Sequence, residues 1–358
     1  MSRSLTKMEM LMKTLEKLQE TRCTRGRIRR ALGLTIGLAI VGMAATPVEV
    51  LAQGIPPFVW NPSGSFPYDN GALPSLAVQG TTIVEVHQSE SGVTGPLFYH
   101  TGQILANGTV QWAASSFMYD NGAAPSVAVS GTSVIEVHQS DASAVGPLYY
   151  HTGKIQSNGT ITWAGSSFKY DNGAAPSVAV AGSTIVEVHQ GQTGVGPLWY
   201  RTGEIQLNGT VKWDSGGALK YDNGAQPRVA IGGSTILEVH QADSGVVGTL
   251  YYHAGEIQAN STVLWAGSSF SYDTGIAPSI AVSGPTVVEV HQAVTGVGSL
   301  YYHTGGIQGD GTVTFSSSGA FPYDTGLTPG VAVSGPTILD VHQSATGVSA
   351  LYYHTAAY

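Results

Sequence analysis

The pair Tyr-Asp returns along this chain at Tyr68/Asp69, Tyr119/Asp120, Tyr170/Asp171, Tyr221/Asp222, Tyr272/Asp273 and Tyr323/Asp324, spaced by 51 residues every time. Around each pair the same wording recurs: YDNGAAPSVAVSG, then VIEVHQS, GPLYYHTG and NGTITWAGSSF in the second copy. Six copies of one supersecondary unit constrain the fold more than any single residue does, because each unit buries its apolar face only against its neighbours. They also shape the functional question. A repeat offers one set of side chains six times, whereas catalysis needs one asymmetric site.

Each copy contains four short β-type runs, which in the second are Pro125–Val129, Ser133–Gln139, Pro147–Thr152 and Thr160–Trp163. Val, Ile, Tyr, Thr and Trp dominate the runs, and Gly, Asn, Ser and Pro fill the gaps. Past residue 53 no helical period appears. Ser130-Gly131 joins the first two runs. Asn158-Gly159 lies between the third and fourth, where it predicts a type I′ hairpin. Four antiparallel strands iterated every ~50 residues describe a propeller blade. The last copy stops after its third strand, at Tyr358, while Phe58-Val59-Trp60 followed by Ser63–Tyr68 matches the fourth strand of other copies. The predicted fold is therefore all-β: a six-bladed β-propeller of 51-residue, four-stranded blades over residues 53–358. The N-terminal strand completes the last blade and leaves no open edge.

On these residues the chain resembles six-bladed sialidase-like propellers and propeller lectins. The hairpin Asn158-Gly159-Thr160-Ile161-Thr162-Trp163 sits where sialidase-like folds carry the Asp-box Ser-x-Asp-x-Gly-x-Thr-Trp. It lacks the Ser and Asp and has one extra residue before Trp163. The YDNG…PSVAV…VEVHQ wording is similar to repeats of secreted bacterial proteins. The resemblance implies an architecture and a carbohydrate-related role; it names no activity.

Residues 1–52 are a different kind of sequence. They hold nine of the fifteen Lys+Arg, including Arg25, Arg27, Arg29 and Arg30, followed by the apolar run 31–46, Pro47 and Val50-Leu51-Ala52. A basic region, a short apolar run and a small-x-small site predict a secretory leader. The run is shorter than the ~20 residues that span a bilayer. The expected location is thus extracellular or periplasmic, with membrane contact only through an uncleaved leader. Beyond residue 52 stand 6 Lys+Arg against 19 Asp+Glu. That balance argues against nucleic acid or an anionic membrane as partner. The single cysteine, Cys23, lies in the leader, so the mature chain has neither disulfide nor thiolate chemistry.

The eleven histidines fill only two positions of the repeat. One is the Glu-Val-His-Gln run: Glu85, His87 and Gln88; Glu136, His138 and Gln139; Glu187, His189 and Gln190; Glu238, His240 and Gln241; Glu289, His291 and Gln292; and, with Asp for Glu, Asp340, His342 and Gln343. The other is Tyr-His-Thr at His100, His151, His253, His303 and His354, with Arg201 in the third copy. Glu and His two apart share one face of a strand. Two readings stand side by side. These groups with the Asp of Tyr-Asp clamp neighbouring blades through hydrogen bonds. Or His-Gln and the Tyr-Asp-Asn-Gly loop line a repeated pocket, whose aromatic faces and polar groups suit sugars. A transition metal held by His and Glu with the Tyr-His of the next strand is a third option, but no ligand spacing matches. The sequence therefore assigns no metal, no cofactor and no catalytic residue. A sialidase-like hydrolase needs several arginines, and the mature chain has two. One irregular patch, Trp199, Arg201 and Arg228 at the third–fourth junction, is the candidate for an asymmetric site. The expected function is secreted multivalent binding of glycans or cell-surface and matrix polymers. The alternatives are a structural or protein-adhesion propeller, and a sialidase-like hydrolase or lyase.

Overall fold

In the computed structural model, residues 58–142, 145–242 and 246–357 are described; residues 1–52, expected from the sequence to be a leader, lie outside them. Among them there is no helix, and every regular element is a strand. The strand Thr82–Gln88 pairs on one side with Ser75–Gln79 and on the other with Gly95–Ile104. The far side of Gly95–Ile104 pairs with two segments, Val110–Trp112 near its end and Phe117–Gly122 near its start. Together they make a four-stranded antiparallel unit. The pattern returns with each copy of the sequence repeat.

What joins the units is a strand rather than a loop. Phe117–Ser130 runs unbroken for 14 residues. Its first half is the outer strand of one unit and its second half the inner strand of the next, with a register shift between Ala123 and Ser126. The Tyr-Asp-Asn-Gly stretch expected as a loop is therefore extended β-structure on the neighbouring sheet. At the shift, Leu73, Ala124, Ala175, Gln226, Ala277 and Thr328 adopt φ of 46° to 52°, each followed by Pro. Such backbone costs about 1–3 kcal/mol for a non-Gly residue. The Gln of the preceding Glu-Val-His-Gln strand stabilises it. Gln88 Oε1 accepts the N–H of Ala124 at 2.8 Å and Gln139 that of Ala175 at 2.8 Å, and Gln343 accepts Leu73 N–H at 3.0 Å.

That last bond closes the circle, and strand pairing closes it too. Val59 and Trp60 pair with Ala357 and Ala356, and Phe66–Gly71 pairs with Ser349–Tyr353. The N-terminal strand completes the unit of the last repeat, as its sequence predicts. The sheets form a closed, propeller-like arrangement.

Because units pack face to face, the second strand of each is buried on both faces. Ile83, Val84 and Val86 are fully buried, and so is Glu85 between them. Apolar clusters between neighbouring units, such as Val84, Val86 and Tyr99 with Val127 and Val134, supply the core.

Two details depart from the sequence reading. In Asn107-Gly108 only Gly108 has positive φ, at 80°, and its N–H donates to Leu105 O at 2.9 Å. This is a tight turn ending in a left-handed glycine rather than type I′, which requires two positive φ values. Asn107 Oδ1 accepts the N–H of Thr109 at 3.1 Å. The constant 51-residue spacing also conceals compensating changes. In the third, fifth and sixth repeats the loops before Gly196, Gly298 and Ser349 are one residue shorter, and the links after Trp213, Phe315 and Trp60 one longer.

Candidate functional site

The recurrent polar residues converge on the seams between units. In every Glu-Val-His-Gln strand the acid, His and Gln are at most 5% exposed. His Nδ1 lies 3.0 Å from the acid two residues earlier in the pairs His87–Glu85, His138–Glu136, His189–Glu187 and His240–Glu238, 3.1 Å in His291–Glu289 and 2.7 Å in His342–Asp340. The Tyr-Asp arm reaches this pair from the neighbouring sheet. Tyr170, Tyr272 and Tyr323 donate their hydroxyls to Glu187, Glu289 and Asp340 at 2.9 Å. Tyr68, Tyr119 and Tyr221 hold the equivalent places beside Glu85, Glu136 and Glu238. The arm's aspartate takes the histidine of Tyr-His-Thr. His100–Asp69, His253–Asp222 and His354–Asp324 are 2.9 Å apart, and His151–Asp120 is 3.5 Å.

Packing is tight where the arm glycine meets the histidine. A Cβ on Gly122 would lie 2.5 Å from the His138 ring, and every Gly of Tyr-Asp-Asn/Thr-Gly faces its histidine in the same way. That glycine serves the close approach of an imidazole and not a turn.

The electrostatics fit a clamp. Burial alone would lower the histidine pKa values, but at His87, His138 and His240 the adjacent carboxylate outweighs it and raises them. Burial would raise Asp69, yet hydrogen bonds from His100, the Asn70 N–H and Ser116 bring it down to about 2. Burial and then the carboxylate beside it push the Tyr68 hydroxyl well up, which keeps it protonated as a donor.

The irregular residues of the third and fourth repeats are not drawn together. Arg201 replaces histidine in its seam. It pairs with Asp171 at 3.3 Å, donates to Tyr170 O and lies 5.5 Å above the Trp213 ring. Trp199 faces His189 across the strand pair. Arg228 lies elsewhere, on an inner strand, lining a cavity of about 170 Å³ on the ring axis that includes Ser75, Ser126, Ser177 and Ser279. It donates to Pro227 O at 3.1 Å, and among the described residues no carboxylate pairs with it. Burial lowers its pKa to about 10.

Sequence reasoning missed a different place. Between the units of the fourth and fifth repeats runs an open groove of about 440 Å³, where Trp265, Leu264, Phe270 and Glu256 face Asp310 and Thr312 of the next hairpin. Phe270 is 45% exposed and Leu264 63%. The preceding junction has the same groove, about 270 Å³, with Trp213, Glu204, Lys212 and Asp214 facing Asn260 and Ser261. The signal for it was present in the recurrence of Trp, Ser-Ser-Phe and Asn-Gly-Thr. Those segments come from different repeats, and only the ring brings them together.

No protein-family model matches the chain, and no curated protein matches it in sequence. Solved structures do match. A mutant of Trypanosoma rangeli sialidase displaying trans-sialidase activity aligns with TM-score 0.53 at 11% identity, over 81% of this chain and 57% of that one. The protein YjhT aligns with TM-score 0.51 at 8% identity, over 81% of this chain and 95% of that one. The chain thus spans little more than half the length of the sialidase. These likenesses show the fold, that of the sialidase-like propellers.

Proposed function

We propose that the ring is a six-bladed β-propeller, secreted after loss of residues 1–52, that binds glycans in the recurrent grooves between its blades. The observation that carries this reading is the groove at Trp265. An exposed aromatic ring, apolar side chains and a carboxylate at each edge are the groups that engage sugar rings and hydroxyls. The site moves outward from the Glu-Val-His-Gln strands, whose polar groups are spent on the seams. The grooves recur around a rigid body, so weak sites add by avidity, by ~10²–10⁴, on a repetitive polymer. The hydrolase reading has less support, because Arg201 and Arg228 share no partner and cannot grip one carboxylate together.

A glycan-array screen of the full-length chain, followed by titration calorimetry, tests the proposal. Binding is expected at a stoichiometry well above one. The triple variant Phe117→Ala, Phe168→Ala, Phe270→Ala is expected to weaken it at least tenfold while the chain still unfolds in one cooperative transition. A stoichiometry of one would move the site to the Arg228 cavity. No binding to any glycan would leave protein adhesion as the function. One observation favours that second reading: Val93, Val195, Val246, Val297 and Val348 stand exposed on the corresponding loops.

A further inference from the structure

The seam of the fifth repeat differs from the others in one ring. In the first, fourth and sixth repeats the two nitrogens of the third-strand histidine face two different groups. Nδ1 meets the arm aspartate, and Nε2 donates to a backbone carbonyl: His100 to Ala113 O at 2.9 Å, His253 to Ala266 O at 2.8 Å and His354 to Asn61 O at 3.0 Å. His303 instead turns Nε2 toward Asp273 Oδ2 at 2.5 Å, and its buried Nδ1 has no hydrogen-bond partner. Its ring is inclined by 27° to that of His291, with centroids 5.8 Å apart. The cause is legible in the sequence. The residue stacked on the arm tyrosine is Trp60, Trp112, Trp163, Trp213 or Trp265 in the other seams and Phe315 here. The smaller ring leaves room for the imidazole to swing.

The swing gathers three ligating atoms. His291 Nε2 is 3.7 Å from the same Asp273 oxygen, and one atom from each of Asp273, His291 and His303 lies within 4.8 Å of the others. We propose that Asp273, His291 and His303 form a binding site for a divalent transition metal of the zinc class.

Two imidazoles and one carboxylate are a donor set that zinc accepts, with the fourth position left to water. Metal–ligand bonds of about 2.0–2.1 Å place ligand atoms ~3.3 Å apart in a tetrahedron. The Asp273–His291 separation already suits that, and Asp273 and His303 need to part by under ~1 Å. Two ligands are backed in the way metal ligands commonly are. Glu289 holds His291 Nδ1 at 3.1 Å and is itself held by Tyr272 at 2.9 Å, while the Thr274 N–H fixes the other Asp273 oxygen at 2.7 Å. Asp273, 29% exposed, gives access from solvent. The third repeat supplies a natural control. There Arg201 places a permanent cation against Asp171, where a metal would stand.

The test uses the tag-free full chain, stripped with EDTA and titrated with ZnCl₂ by calorimetry and with CoCl₂ by visible absorption. The expected result is one ion per chain and an intense tetrahedral cobalt spectrum. His303→Arg, which copies the third repeat and keeps the pair with Asp273, is expected to weaken binding at least a hundredfold. Phe315→Trp, which restores the ring of the other seams, is expected to do the same, and it decides the matter if His303→Arg does not fold. Absence of binding, binding untouched by either variant, or about five ions per chain would each overturn the assignment to this seam.

Discussion

The seams and the outer grooves use similar residues to opposite ends. At a seam, aromatic rings, carboxylates and imidazoles are buried against one another, and each histidine stands beside a carboxylate. In a groove, a few ångströms further out, Trp265, Phe270, Glu256 and Asp310 are left partly open to solvent. The seam residues are the more strictly repeated, the groove residues the less so: Leu219 stands where other repeats have Phe, and Lys212 faces Glu204 where Leu264 faces Glu256. In a closed ring, strict recurrence marks what the architecture cannot lose. The binding surface is better sought where the repeat is looser and the side chains exposed.

The comparison can be broken most forcefully at a seam. Glu136→Ala leaves His138 and Tyr119 facing an uncompensated gap, and removing one partner of a buried pair costs about 3–5 kcal/mol. A large fall in the chemical-denaturation midpoint is expected; a shift no larger than that of a surface substitution would show that the pairs are not what holds the blades.

A smaller effect should appear with pH. The histidines at positions 87, 138 and 240 are raised from 6.5, so their contribution is complete below that value and is lost as pH rises through the raised ones. Asp69, Asp120 and Asp222 are lowered from 3.8 to about 2, so theirs is complete above 3.8 and fades as pH falls toward 2. Melting temperature should therefore peak between about pH 4 and 6.5. A maximum above pH 8 would mean that the seam histidines work as neutral groups.

The smallest stability effect is expected in the groove. Phe270→Ala removes one exposed ring that packs on Tyr252 at 5.5 Å, and should cost about 1 kcal/mol or less. Loss greater than that of Glu136→Ala would erase the distinction between the two regions.

Much of this was legible in the chain. Alternation and turn residues marked the four strands of each repeat, and the displaced Val59-Trp60 announced the closing strand. The shared face of Glu and His followed from their spacing. The Tyr-Asp-Asn-Gly stretch was misleading because its composition is that of a turn, while its glycine is there to admit an imidazole. The strained positions carry Leu, Ala, Gln and Thr, which do not advertise positive φ; only the following Pro and a glutamine 36 residues earlier, or for Leu73 one 270 residues later, hinted at them. The groove was invisible because its walls come from consecutive repeats, and no residue in it is unusual alone.

The 14-residue strand that serves two sheets has a consequence for how the molecule comes apart. An open array of repeats can fray from its ends, since each terminal member touches only one neighbour. Here no member is terminal, and none can leave without pulling the outer strand from the sheet beside it. Unfolding should therefore spread around the circle once it starts anywhere, and partly unravelled forms should be scarce. A protease would then meet either the whole ring or a fully opened chain.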